Sequence, residues 1–218
     1  MNRLLKVIFF AFIIKPLVLI GLGLNVRGRN NLPRHGPAVI VANHNSHLDT
    51  MVLMSLYPLS MIHKVRPVAA ADYFIENGSF MAWLSLRCIG IIPMDRSGHT
   101  EKTALFDGCD EALNNGDILI LFPEGSRGEP EKMSELKKGV FHLLNNRPNT
   151  RVTPIMLHGL GRALPKGEFL FVPFNCDVVI GENVERGNNA ASFIKEITDS
   201  FKDLTKYCLT LKNNSYDN

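Results

Sequence analysis

The sequence predicts a single α/β domain, built on a central, mostly parallel or mixed sheet flanked by helices, with an N-terminal hydrophobic helical segment that anchors it to a membrane. Three observations predict this. Short runs rich in Val and Ile alternate with helix-length amphipathic stretches, the pattern of strand–helix–strand units. The 218 residues are 45% hydrophobic and 21% charged, enough for one sizeable core and too apolar for wholesale disorder. From Leu4 to Leu24, 16 of 21 positions are apolar.

That first stretch, LLKVIFFAFIIKPLVLIGLGL, is interrupted by Lys6, Lys15 and Pro16. A membrane span wants about 20 apolar residues without a central charge, and proline breaks or kinks the helix that precedes it. An in-plane anchor of one or two short helices fits best, ahead of a kinked span or a core helix. In it Arg3, Lys6, Lys15, Arg27 and Arg29 would lie near lipid headgroups. The arginines that follow place the globular part on the cytoplasmic face. The divisions expected are residues 1–25 for the anchor, 26–211 for the domain and 212–218 for a frayed tail.

After a turn-rich connector, AVIVAN (38–43) reads as a buried strand. SHLDTMVLMSLYP (46–58) reads as a helix that stops at Pro58. PVAAA (67–71) is a further strand, 72–88 a helix weakened by Gly78, and 89–96 a short apolar run ending in charge. Residues 103–116 form an amphipathic helix with a glycine cap, and DILILFPEGSRG (117–128) a strand entering a Pro-Gly loop. Residues 134–146 read as a helix and 151–159 as a strand. FLFVPF and CDVVIGE form a terminal strand pair, and 191–211 a helix with Phe193, Ile197, Phe201, Leu204 and Leu211 in one stripe.

The net charge of +3, with cations interleaved among acids, excludes a nucleic-acid partner. Four scattered cysteines, with no C-x-x-C pair, suit reduced thiols in a cytosol-facing domain rather than a disulfide or zinc framework. Ligand sites in such folds gather where strands end, and three predicted strands end in polar clusters. Val41 runs into NHNSHLD, Ile92 into PMDR, and Leu121 into FPEGSRG. Ser46 and Asp49 fit a capping box, which leaves His44 just ahead of the helix and free to fold back onto Asp49. A carboxylate on one imidazole nitrogen leaves the other able to take a proton. Arg96, Arg127 and the backbone N–H groups around Gly125 suit a phosphate, and Glu124 suits a hydroxyl donor or an arginine to hold in place. Lys137 and Lys138 are further cations near a helix start. Read singly, each cluster also has a structural reading, as a helix cap, a turn or a solvated ion pair. His44, His47 and Asp49 lack metal-site spacing, and Ser126 lacks the G-x-S-x-G context of a nucleophile.

Read in order, the clusters resemble the glycerolipid acyltransferase family, in its PlsC-type lysophosphatidic-acid branch. His44 to Asp49 matches the H-x-x-x-x-D block, Gly90 to Arg96 resembles the second block, Phe122 to Arg127 matches F-P-E-G-[ST]-R, and Val152 to Ile155 resembles the fourth. The resemblance covers about residues 25–185. It implies His44 as general base, Asp49 as its orienting carboxylate, and direct attack of an acceptor hydroxyl on an acyl thioester. Arg96, Glu124, Gly125 and Arg127 would bind the glycerol-phosphate head, and Pro154 would shape the acceptor or acyl site. It also implies acyl-CoA or acyl carrier protein as co-substrate, no cofactor or metal, a lysophospholipid acceptor and a phospholipid membrane as partner. Where many relatives carry a lysine before the second block, this chain reads Val68-Ala69-Ala70-Ala71-Asp72. Another lysophospholipid or lipid alcohol as acceptor, a lipid-binding protein without catalysis, and a thioesterase-like hydrolase are the rival readings.

Overall fold

The computed structural model describes residues 3–71, 83–95, 104–126, 128, 132–164, 172 and 174–213. Seven strands form one sheet: β1 (Gly23–Arg27), β2 (Ala38–Ala42), β3 (Val65–Ala70), β4 (Ile92–Met94), β5 (Ile118–Leu121), β6 (Arg151–His158) and β7 (Asn175–Ile180). Their order is β1-β7-β6-β2-β5-β3-β4. Every pairing is parallel except β6 with β7. The predicted α/β architecture with a mixed sheet is therefore what forms.

β2 is buried along its whole length, as a central parallel strand must be. Ala38, Ile40 and Ala42 enter one hydrophobic cluster, and Val39 and Val41 enter another on the opposite face. The first face is covered by the N-terminal helix α1 (Arg3–Gly21) and by α2 (Leu48–Ser55). The second is covered by α3 (Asp107–Asn114), α4 (Gly139–Leu143) and α6 (Ala190–Thr205), where Phe193, Ile197 and Phe201 form the expected stripe. The short α5 (Leu160–Ala163) follows β6, and α7 (Leu209–Asn213) ends the described chain. Asp177 of β7 ties α7 to the sheet, accepting hydrogen bonds from the Thr210 backbone N–H at 2.8 Å, the Thr210 hydroxyl at 2.6 Å and Asn25 Nδ2 at 2.6 Å. Burial pushes its carboxyl up, but those hydrogen bonds outweigh burial and hold it below the usual range.

The structure corrects several sequence expectations. Gly23–Arg27, read as the end of the anchor and the start of a connector, is strand β1, paired in parallel with β7. β7 lies between β1 and β6 rather than pairing with FLFVPF; most of that stretch lies outside the described residues, and Val172 and Phe174 are not in a strand. The helix expected over 134–146 shrinks to Gly139–Leu143, because the Lys137 backbone N–H donates to Pro123 O at 2.8 Å instead of starting a helical turn. The helix expected over 191–211 stops at Thr205 and resumes as α7. Of the helix read over 72–88, residues 72–82 lie outside the described residues, and Leu84–Ile89 is a π-helical turn.

Pro16 does not break α1. The residues just before it, Phe10–Ile14, are π-helical, and the helix continues to Gly21. A π-turn is one residue wider than an α-turn and leaves room for a ring that would clash inside an α-helix. The same widening holds a four-residue repeat in line. Lys6, Phe10, Ile14, Val18 and Leu22 are all buried against the domain, while Leu4, Ile8, Phe12, Leu19 and Ile20 are exposed, Ile20 by 86%. One stripe of α1 is thus part of the core and the other is apolar and uncovered.

Lys6 departs most sharply from expectation. Instead of reaching toward headgroups it is fully buried, and its Nζ donates to Val65 O at 2.8 Å. Its position in the four-residue stripe points it at the start of β3. Burial, reinforced by the Arg66 charge and opposed by Asp117, pushes its ammonium down to about 7. A depressed base means that the unfolded chain holds more protons between about pH 7 and 10.5, so stability rises with pH across that window. The contribution is on the order of a few kcal/mol. Lys6→Met should therefore raise the melting temperature at pH 6.5, with a gain that shrinks by pH 9. Parallel melting curves of the two proteins that differ by the same amount at both pH values would refute this account.

Candidate active site

The site forms because β2, β5 and β6 run parallel and end together. Val41 is in register with both Leu121 and Pro154, so the segments leaving β2 and β5 emerge side by side. Asn43 extends the β2–β6 ladder by its side chain, donating from Nδ2 to Leu157 O at 2.8 Å and accepting from the Leu157 N–H at 2.7 Å. The next residue, His44, is thereby aimed along the strand end.

His44 and Asp49 meet as the capping pattern predicts. His44 Nδ1 lies 2.8 Å from Asp49 Oδ2, with the carboxylate fully buried and the imidazole 18% exposed. The same Oδ2 accepts the backbone N–H of Asn45 at 2.7 Å and of Ser46 at 2.9 Å. Ser46 Oγ in turn accepts the Leu48 N–H at 3.2 Å and donates to Leu164 O at 2.9 Å. Helix cap and histidine pair are therefore one assembly. Because Oδ2 accepts from both amides, Nδ1 carries the proton it shares with Asp49. Nε2 is left as the bare nitrogen, with no partner among the described residues.

The turn after β5 packs on this imidazole. The Phe122 ring stacks on His44 with centroids 4.0 Å apart and planes 18° from parallel. Glu124 is buried, and both its oxygens serve the backbone. Oε1 accepts the His44 N–H at 2.8 Å and Oε2 the Ser134 N–H at 2.7 Å. The His44 carbonyl accepts from the Gly128 N–H at 3.2 Å. Glu124 thus clamps the histidine segment to the loop that follows. Gly125, at φ +82°, closes the turn by donating to Phe122 O at 3.0 Å, a conformation side chains other than glycine's rarely adopt.

The sequence-selected residues His44, Asp49, Glu124 and Gly125 are therefore brought together. Arg96 and Arg127 lie outside the described residues; Met94, two positions before Arg96, ends β4 two strands from β5. Pro154 lies within β6, beside Val41. Among the described residues, no group of three or more His, Cys, Asp or Glu side chains is placed to share a metal ion. Sequence reading gave Phe122 no role of its own. The signal was an aromatic at the first position beyond a strand that is neighbour to the one ending at His44. It also left open the possibility that Glu124 bonds substrate, since amides 80 and 10 residues away cannot be seen in a linear motif.

Residues 23–158 match the sequence profile of a family described as Acyltransferase. The chain is 30% identical to a chloroplastic 1-acyl-sn-glycerol-3-phosphate acyltransferase of Arabidopsis thaliana over 149 residues, which is 66% of this chain and 38% of that one. It is 28% identical to human 1-acyl-sn-glycerol-3-phosphate acyltransferase alpha over 162 residues, 73% of this chain and 54% of that one. The chain thus spans about half the length, or less, of these curated relatives. Its fold is like that of the 1-acyl-sn-glycerophosphate acyltransferase PlsC of Thermotoga maritima, with a TM-score of 0.71 at 20% identity, covering 94% of this chain and 79% of that one.

The clamp makes a direct prediction. In Glu124→Gln one of two partly buried backbone N–H groups meets an amide NH2 instead of an oxygen, which costs about 1 kcal/mol. The melting temperature should fall by several degrees, and the His44 amide should exchange with solvent faster than in the wild type. An unchanged melt and unchanged exchange would mean that Glu124 does not hold the two segments together.

Proposed function

This chain belongs to the acyltransferase family, and on that premise we propose that it moves a fatty acyl group from a thioester to the sn-2 hydroxyl of 1-acyl-sn-glycerol-3-phosphate, giving phosphatidic acid. The donor is acyl-CoA or acyl carrier protein. The observation that carries the reading is the bare Nε2 of an imidazole whose Nδ1 is held 2.8 Å from a buried carboxylate.

In this reaction Nε2 takes the proton of the acceptor hydroxyl as its oxygen attacks the thioester carbonyl. The C–O bond forms, the C–S bond breaks, and the thiolate recovers a proton from the imidazolium. Asp49 keeps the ring in the productive tautomer and offsets the charge it gains. Phe122 fixes the ring plane by stacking, and Glu124 fixes the backbone from which the ring projects. Arg96 and Arg127 hold the phosphate of the acceptor. The chemistry is completed by these side chains and the two substrates, with no cofactor.

The exposed stripe of α1 supports attachment to a phospholipid membrane, and the arginines that follow it favour the cytoplasmic face. Leu4, Ile8, Phe12, Leu19 and Ile20 would enter the headgroup boundary while the opposite stripe stays docked on the sheet. The helix then lies along the surface.

Membranes carrying the wild-type protein should acylate lysophosphatidic acid, and His44→Ala should lower kcat by about 10²–10⁴-fold. Chelation with EDTA should leave the wild-type rate unchanged. Transfer confined to a different lysophospholipid would move the acceptor, and acyl release that outpaces transfer would make the protein a hydrolase. A His44→Ala protein with full activity would end the general-base assignment.

A further inference from the structure

Among the described residues, Lys137 stands against the active-site turn, and the reaction outlined above gives it no task. The backbone N–H of Lys137 is fastened to Pro123 O at 2.8 Å, which brings residue 137 alongside the turn after β5. Its side chain lies across Gly125. A methyl group at Gly125 would come within 2.8 Å of the Lys137 Nζ and 3.1 Å of its Cδ and Cε. The ammonium therefore occupies the side of Gly125 from which a side chain would project, and the neighbouring Glu124 holds the His44 amide.

The Lys137 ammonium makes no hydrogen bond or ion pair with a described residue. The nearest candidate, the Glu124 carboxylate, has both oxygens engaged by backbone N–H groups. Among the described residues, the neighbouring strand end carries no cation, since β3 finishes in Val68, Ala69 and Ala70. A cation with no described partner thus lies over Gly125, on the turn whose Glu124 holds the His44 amide. A phosphate monoester carries nearly two negative charges at neutral pH and is bound by cationic donors and exposed backbone together. Lysine meets it as a compact point charge that needs no planar partner. Any side chain at position 125 would push the ammonium away, so the glycine keeps the cation in place as well as shaping the turn.

We propose that Lys137, resting on Gly125, is a phosphate-binding residue that holds the phosphomonoester of the acceptor and so sets the preference for it. The inference rests on the acyl-transfer reading given above. The phosphates of the acyl donor share this chemistry, and the two sources are separable by experiment.

The test uses the full-length protein in detergent, with Lys137→Gln and Lys137→Arg beside the wild type. Initial rates are taken with lysophosphatidic acid varied at saturating donor, and with donor varied at saturating lysophosphatidic acid. Binding of lysophosphatidic acid alone is measured by calorimetry. The expected result for Lys137→Gln is a KM for lysophosphatidic acid about tenfold higher, with kcat within about threefold of the wild type. Binding weakens to match, the donor KM does not follow, and Lys137→Arg recovers most of the loss. An exposed side chain with no partner should not alter the melt, so melting curves of all three proteins check the fold. A rise in donor KM alone would give Lys137 to the donor phosphates and overturn the proposal. So would an acceptor KM and affinity within twofold of the wild type. If the wild type transfers nothing, the acyl-transfer reading fails on its own, and the calorimetric comparison still decides whether Lys137 binds the phosphomonoester.

Discussion

One oxygen atom carries the organisation of this site. Asp49 Oδ2 accepts three hydrogen bonds, from the His44 ring and from the amides of Asn45 and Ser46. The two amides belong to the turn that opens α2, so the bond that caps the helix also sets where the histidine can reach. A carboxylate burdened this way cannot swing to another rotamer without orphaning two buried donors, each costly to leave unpaired. The imidazole inherits that rigidity. Phe122 and Glu124 then fix the two remaining freedoms, the plane of the ring and the position of its backbone. Preorganisation here comes from the start of a helix being used twice.

The legible parts of the fold were those written in local pattern. AVIVA announced a strand buried on both faces, and S-x-x-D announced a cap, from which the meeting of His44 and Asp49 followed by geometry. What was not legible was decided at long range. Nothing local separates Gly23–Arg27 from the apolar run before it; it becomes a strand because β7, some 150 residues later, presents an edge to pair with. The lysines ahead of α4 look helical, yet Pro123 takes the amide that would have begun the helix. Lys6 reads as a charge bound for a headgroup, and only the four-residue stripe shared with Phe10, Ile14, Val18 and Leu22 shows that it faces inward.

The site shows the same division. The roles of His44 and Asp49 sit five positions apart and could be argued from spacing. Glu124 could not be resolved that way, because both its partners are backbone amides supplied by the fold. A motif records that a carboxylate is needed but not what it grips. In this chain it grips the backbone of the residue that would do the proton transfer, so this side chain of the turn serves position.

The double-sided helix α1 has a consequence for handling the protein. A tether that merely hung from a finished domain could be trimmed to give a water-soluble fragment. Here the trim would uncover the sheet. Phe10, Ile14, Val18 and Leu22 would vanish from the cluster that includes Ile40, Ala42 and Leu53, and β1 would lose the segment that leads into it. Shortened versions would trade a greasy helix for a greasy sheet, and the productive route to purification is to shield the outward stripe with detergent or nanodisc rather than to remove the residues that bear it.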